Sequence, residues 1–298
     1  MIRLVILLFS LLAIHTSCEV INPAEEVPFF VKVDKIDVCT ADSCYDESIE
    51  RGTNRHNLPD AWVFANDNLI GAFELPATVP VLAKGNVKIS VQGGIKSNGI
   101  IGDAQQYNFF EPDDTTINTT PGETYQFNPT LTYRSRLFYW HEQFEGENSG
   151  IKMQAHFSSD TTIQIVKDSS EVFEGIGSGY AVLSDETHQV FRGESSEPIS
   201  LPRGVFTYVE LHYKCNNPFS VGIVSKPAGN PEDFDFALTL RSTLNEATGL
   251  LEWRKVYIDI SPSIDQSVGG PRHLMFEMFK ITNQAELYLD NIKVVHAE

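Results

Sequence analysis

Four cysteines carry the readiest chemistry in this chain: Cys18, Cys39, Cys44 and Cys215. Cys39 and Cys44 flank the polar segment Thr40-Ala41-Asp42-Ser43, short enough to fold back as a loop. Two readings are open for such a pair. In an exported protein the thiols join as a disulfide. A metal site would need four ligands, and neither a second cysteine pair nor a nearby histidine cluster completes the set. Cys215 ends the run from Tyr208, in which Val209, Leu211, Tyr213 and Cys215 share one face. Period two predicts a strand with that face in a core, so Cys215 is expected to be a buried, inert thiol. The export reading itself comes from the N-terminus. Arg3 precedes an apolar run over residues 4–14. That run has the length of a signal core and falls short of the roughly 20 residues a bilayer span demands.

Catalytic motifs are missing. The chain has no G-x-S-x-G elbow, no H-E-x-x-H and no Walker-type phosphate loop. Gly175-Ile176-Gly177-Ser178-Gly179 lacks the helix and lysine that would make it a nucleotide loop, and reads as a turn between strands. Carboxylate pairs are abundant because the chain has 40 acidic residues against 22 Lys and Arg, so no pair stands out as an acid–base couple. His141, near Glu142 and Glu145, reads as a surface histidine. The net charge of -18 is spread over both halves. It argues against nucleic acid and against an anionic membrane surface as direct partners. Neutral glycans, cations and basic proteins remain compatible. No enzyme is expected.

The elements that would position any site are strands. Phe30 to Lys35 alternates, with Val31 and Val33 on one face. Asp60-Ala61-Trp62-Val63-Phe64-Ala65 and Leu69 to Leu75 flank the turn Asn66-Asp67-Asn68 and form a hairpin. Val87, Ile89 and Val91 mark another strand. The four glycines of residues 93–102 predict a loop, and the Thr-, Pro- and Asp-rich residues 111–122 predict a linker or a long loop near a domain boundary. Beyond residue 135 short strands follow at regular spacing, separated by turns such as Pro202-Arg203-Gly204 and Asn216-Asn217-Pro218. Sustained helical periodicity is absent. The expected fold class is all-β, with a small N-terminal β-sandwich over residues 28–134 and a larger jelly-roll β-sandwich over residues 135–298. Residues 1–17 are expected as a cleaved signal peptide and residues 18–27 as a tether.

Three resemblances refine this outline. Thr16-Ser17-Cys18 after the apolar run resembles the lipobox of bacterial envelope lipoproteins, although His15 stands where that family carries Leu, Val or Ile. The resemblance implies lipidation of Cys18, attachment to the outer membrane by that lipid, and a soluble body on its periplasmic or surface face. Multiple acyl chains would hold it firmly, at about 0.8 kcal/mol per buried methylene. An ordinary secretory signal is the other reading. Val63, Asn66, Gly71, Pro76, Pro80, Gly85, Ile89 and Val91 resemble the spacing of PEGA-type and immunoglobulin-like modules. Phe144-Glu145, Trp253 to Ile260 and Leu287 to Val295 resemble carbohydrate-binding jelly rolls of the galactose-binding type.

That last likeness implies two sites. A structural Ca²⁺ would take Glu145 and Asp290, supplemented by further oxygens to reach six to eight. A glycan would need aromatic platforms beside polar groups, for which Trp140 and Tyr180 are the first candidates, followed by Trp253 and Tyr288. Trp253, alternating with Leu251 and Tyr257, is expected mainly in the core. The functional expectation is a non-catalytic, lipid-anchored envelope protein that binds glycan through its jelly roll. The alternative is a structural subunit of a larger envelope assembly, acting through protein contacts.

Overall fold

The computed structural model describes residues 25–45, 50–147 and 150–298. Cys18, the signal segment and residues 19–24 of the tether lie outside them. Among the described residues nearly every regular element is a strand, so the all-β expectation holds.

The N-terminal unit contains β1 (Phe29–Val33), β2 (Asp37–Cys39), β3 (Asp60–Ala65), β4 (Asn68–Glu74), β5 (Ala77–Val81), β6 (Gly85–Lys96), β7 (Ala104–Gln106), β8 (Phe110–Glu111), β9 (Asp113–Thr119), β10 (Thr124–Gln126) and β11 (Thr130–Tyr133). Its sheets run β10-β1-β5, β2-β11-β8 and β4-β3-β6-β7, with β9 also on β6. Alternation builds the core: Val31, Val63, Val79, Val87, Ile89 and Val91 all point inward and are fully buried. The β3–β4 hairpin turns through Asn66 and Asp67, both in the left-handed region, as a two-residue connection demands. Cys39 and Cys44 are joined as the expected disulfide, with Cα atoms 6.4 Å apart.

Two expectations are corrected here. Residues 93–96 are not loop but the continuation of β6. A Cβ on Gly94 would lie 2.8 Å from Asp60 Cβ, and one on Gly93 would lie 2.9 Å from Leu131 Cδ1. These glycines permit close approach between chain segments, which is the second use of glycine in a strand and leaves the same mark in the sequence as a turn. Residues 113–119 are not a linker but strand β9, whose threonines suit a pleated surface and whose Ile117 reaches the core.

The C-terminal unit contains β12 (Leu137–Glu142), β13 (Met153–Ala155), β14 (Gln164–Val166), β15 (Ser178–Leu183), β16 (Val190–Ser195), β17 (Thr207–Cys215), β18 (Phe219–Ser225), β19 (Asp233–Leu240), β20 (Leu244–Asn245), β21 (Leu250–Leu251), β22 (Arg254–Asp259), a short helix α1 (Ser261–Gln266), β23 (Arg272–Phe279) and β24 (Ala285–Ala297). A six-stranded sheet, β14-β15-β24-β17-β22 with β12 also on β24, faces the five-stranded sheet β13-β16-β23-β18-β19. Val209, Leu211, Leu287, Leu289 and Val294 from the first meet Val221, Ile223, Leu274 and Phe276 from the second in one core. Cys215 is buried in that core as expected, and burial pushes its thiol up to about 12.

A third apolar cluster joins the units. Leu58, Ile95, Tyr107, Phe109, Phe110, Leu131 and Tyr133 of the first pack against Tyr208, Tyr257 and Val295 of the second. Backbone bonds cross the same boundary, with Asn98 N–H donating to the Tyr257 carbonyl at 2.8 Å. The N-terminal unit therefore sits on the outer face of the six-stranded sheet.

Candidate functional site on the outer face of the six-stranded sheet

The strand that places Val209, Leu211, Tyr213 and Cys215 in the core must turn Tyr208, Glu210, His212 and Lys214 outward. On β22 the same rule turns out Lys255 and Tyr257 opposite the core residues Val256 and Ile258. On β24 strict alternation would send Lys293 inward, because Leu287 and Leu289 lie in the core. A bulge prevents this: Glu210 faces Lys293 while His212 faces Asp290, leaving an extra residue on β24. Asn291 takes a left-handed conformation there, with φ 47. The shifted parity brings Asp290 and Lys293 onto one face, a re-aiming that bulges commonly perform. The outer face is thus a row of titratable side chains, and most of it is buried.

At one end, under the N-terminal unit, Glu210 is wholly buried. Tyr107 donates its hydroxyl to Glu210 Oε1 at 2.5 Å and Tyr133 does so at 3.0 Å. Lys255 and Lys293 each bring an ammonium to 3.5 Å from Oε2. Lys293 Nζ also donates to the Tyr133 hydroxyl at 2.5 Å and lies over its ring. Burial by itself would raise the Glu210 carboxyl, but the Lys293 and Lys255 ammoniums and the Tyr107 hydroxyl hold it well below the usual carboxylate range. Burial also pulls Lys293 down to about 8. His56 sits 3.8 Å from Glu210 Oε2, yet desolvation drives it well below its ordinary value, so the ring is neutral at pH 7.

A strap made by residues 50–58 threads along this face. Gly52 has φ +75, and a Cβ there would stand 3.0 Å from His141 Nδ1 and 3.3 Å from Lys293 Cε, so only glycine fits. The Asn57 amide donates to the Tyr257 hydroxyl at 3.2 Å. Thr53 donates to Glu174 Oε2 at 2.5 Å, tying the strap to the β14–β15 connection. His141 is buried beneath it, and desolvation lowers the ring to about 3. The surface histidine expected from the sequence is an interior one.

Beyond the strap the face opens into a cavity of about 470 Å³, bordered by Arg55, Phe173, His212, Trp253, Arg254 and Lys255. Phe173 stacks on His212 with ring centres 3.9 Å apart and lies 5.4 Å from Trp253. Desolvation lowers His212 to about 2, and the ring donates to the Arg55 backbone. Its Nδ1 has no partner, so in the neutral ring it is an acceptor without a donor. The indole N–H of Trp253 has no acceptor, and Lys255 Nζ makes its ion pair with Glu210 but no hydrogen bond. Three polar atoms around one cavity are unsatisfied.

The face continues outward as an aromatic strip. Tyr180 and Tyr288 stand opposite each other with rings 4.6 Å apart, and Trp253 lies 6.4 Å from Tyr288. Lys214 packs over both Tyr288 and Trp253 and pairs with Glu171. The Tyr180 hydroxyl donates to Glu286 at 3.0 Å. Rings with edge-on hydrogen-bonding groups are what a polyhydroxylated ring needs for binding.

The structure sorts the residues that the sequence singled out. Tyr180 belongs to the strip. Trp140 does not; it packs partly buried against the jelly-roll core on the opposite side of β12. Trp253 was expected mainly in the core and instead stands half-buried on the outer face. Glu145 and Asp290 come near one turn, but their oxygens are spent on donors. Glu145 accepts the Ile176 amide at 2.9 Å. Asp290 accepts the Ser178 hydroxyl at 2.7 Å and the amides of Asn291 and Glu174. Burial raises the Asp290 carboxyl to about 7. Among the described residues no three His, Cys, Asp or Glu side chains are gathered to hold a metal. The pair as placed anchors the 174–178 turn.

No protein-family model and no curated protein matches the chain. Solved structures do match, over about half of it. The first xylan-binding CBM22 domain of Paenibacillus barcinonensis Xyn10C is 10% identical, covers 53% of this chain and 94% of its own, and has a TM-score of 0.38. A CBM61 bound to β-1,4-galactotriose is 18% identical, covers 51% and 92%, and scores 0.32. A non-crystalline-cellulose-specific CBM28 is 16% identical, covers 51% and 90%, and scores 0.36. These structural neighbours are carbohydrate-binding modules with β-sandwich folds.

Proposed function

We propose that this protein is a non-catalytic glycan-binding protein whose site is the open end of the six-stranded sheet. One observation carries the reading. The face presents the rings of Trp253 and Phe173 at a cavity, with Tyr180 on the strip beyond, and three polar atoms enclosed in the wall behind them, His212 Nδ1, Trp253 Nε1 and Lys255 Nζ, have no hydrogen-bond partner among the described residues. Buried polar groups are nearly always satisfied, and ordered water or a ligand hydroxyl can supply such partners after a small shift of the side chains. One acceptor and several donors beside aromatic rings match a sugar's hydroxyls and its apolar ring face. The N-terminal unit holds the sheet's other end rigidly, so the site is presented on a fixed base. In the same reading Cys18 carries the lipid that tethers the body to an outer membrane through residues 19–27.

Affinity electrophoresis against a panel of soluble polysaccharides tests the site. At least one polysaccharide retards the protein, and Trp253→Ala lowers that affinity at least tenfold while costing no more than about 1 kcal/mol of stability. Absence of retardation by every polysaccharide refutes the proposal. Metabolic acyl labelling, with Cys18→Ala as control, tests the anchor separately.

A further inference from the structure

We infer that the cavity selects glycans bearing an anionic group, a carboxylate or a sulfate; the inference rests on the glycan reading above and narrows it. The chain has 40 acidic residues and 22 Lys and Arg, yet Arg55, Arg254 and Lys255 border this cavity and, among the described residues, no carboxylate does. The nearby carboxylates are committed elsewhere. Glu210 faces two ammoniums, Lys255 and Lys293, and accepts from Tyr107 and Tyr133 as well. Glu174 accepts from Thr53 and from Asn291, and its contact with Arg55 is a long 3.7 Å. Asp290 is taken up by Ser178 and the local amides. Glu174 and Asp290 also act on Lys255, so the charge the cavity presents is that of Arg55 and Arg254 at its rim, with Lys255 behind them.

Lys255 is the decisive residue. Its side chain is only 4% exposed, and its ammonium has one ion pair at 3.5 Å and no hydrogen bond. A desolvated ammonium enclosed in the cavity wall acts through its charge, which is felt strongly in low-dielectric surroundings and favours an anion over a neutral hydroxyl in front of it. Arg254 and Arg55 at the rim add charge that water still reaches, so their share is screened by salt. The ligand unit is therefore a uronic acid or a sulfated sugar within a chain.

Calorimetric titration with three soluble polysaccharides of matched length tests this: a neutral glucan, a polyuronate and a sulfated galactan, each at 25 and 300 mM salt. At least one acidic polymer binds tenfold or more tightly than the neutral one, and the advantage shrinks at high salt. Lys255→Met removes the advantage. Arg254→Gln, an exposed position that leaves folding intact, reduces it about threefold. The relative affinities of polyuronate and sulfated galactan identify the anion. Neutral and acidic polymers binding equally, or an acidic preference indifferent to both substitutions, overturns the inference and leaves glycan binding standing. No binding to any of the three overturns both.

Discussion

The two ends of one sheet face make opposite use of similar residues. Under the N-terminal unit, Glu210 is matched by two lysines and two tyrosine hydroxyls, and the joint is dry and polar. A few residues away on the same strands, His212 and Lys255 carry atoms with no hydrogen-bond partner beside an open cavity. The Glu210 cluster ties the two units together, whereas the cavity end of the face lies open. The contrast predicts that substitutions at the first end cost stability and substitutions at the second cost binding.

Acid should give the largest effect on the joint. His56, His141 and His212 are neutral when folded, each held below the usual histidine value chiefly by burial. The unfolded chain binds protons on all three as pH falls through about 6.5. Stability is therefore fully present above that pH and is lost as pH drops toward the folded values, with a slope of up to ~1.4 kcal/mol per pH unit for each ring. Glu210, depressed in the fold, adds to the loss below about pH 4.5. Urea unfolding between pH 7 and 4 measures this. A flat profile would show that the joint opens to water and would dissolve the contrast.

The next effect is Glu210→Gln. It leaves Lys255 and Lys293 facing each other's charge without a carboxylate, at a cost of about 3–5 kcal/mol. Glycan affinity, measured on the fraction that remains folded, should change far less than stability. A loss below about 1 kcal/mol would mean that water replaces the carboxylate and that the joint is not dry.

Removing the disulfide should come third. The Cys39–Cys44 disulfide closes a short loop, and Tyr45 behind it donates to the Cys39 carbonyl at 2.6 Å while accepting the Tyr133 amide at 2.9 Å. A loop of that length contributes about 2 kcal/mol by restricting the unfolded chain. Cys39→Ser with Cys44→Ser should lower stability by that amount in equilibrium unfolding.

How much of this contrast the sequence displayed differs between its parts. The strands of β17, β22 and β24 announce themselves by alternation, and so does the buried Cys215. The outer face escaped notice because Glu210, His212 and Lys214 opposite an apolar face look like ordinary solvated positions. A sharper signal was there: Tyr208, Glu210, His212 and Lys214 mix aromatic and charged residues in one row, which a purely solvated face rarely does. Nothing local shows that the strap from residue 50 crosses to the other unit, since its partners Tyr257 and Glu174 lie more than a hundred residues away. The bulge at Asn291 is equally hidden, and without it Lys293 would be assigned to the core. A tryptophan next to a predicted boundary, Trp140, looks exposed and one in an apolar strand, Trp253, looks buried. Packing of β12 and the pleat of β22 decide otherwise.

The smallest expected change in stability is also the sharpest test. Trp253 is half-buried, its indole N–H has no acceptor, and its ring borders both Phe173 and Lys214. Truncation to alanine removes contacts on one side only, so unfolding should shift by no more than about 1 kcal/mol, below the 3–5 kcal/mol typical of a fully buried tryptophan. The same truncation removes a platform and a donor from the cavity, and binding hot spots of this kind commonly cost 2 kcal/mol or more, about thirtyfold in affinity. Trp140→Ala reverses the pattern: it packs against the core and should lose stability while binding is unchanged. Measuring unfolding and polysaccharide affinity on both variants separates platform from packing. If Trp140→Ala abolishes binding and Trp253→Ala does not, the ligand sits elsewhere on the jelly roll and the unsaturated end of the sheet is not its site.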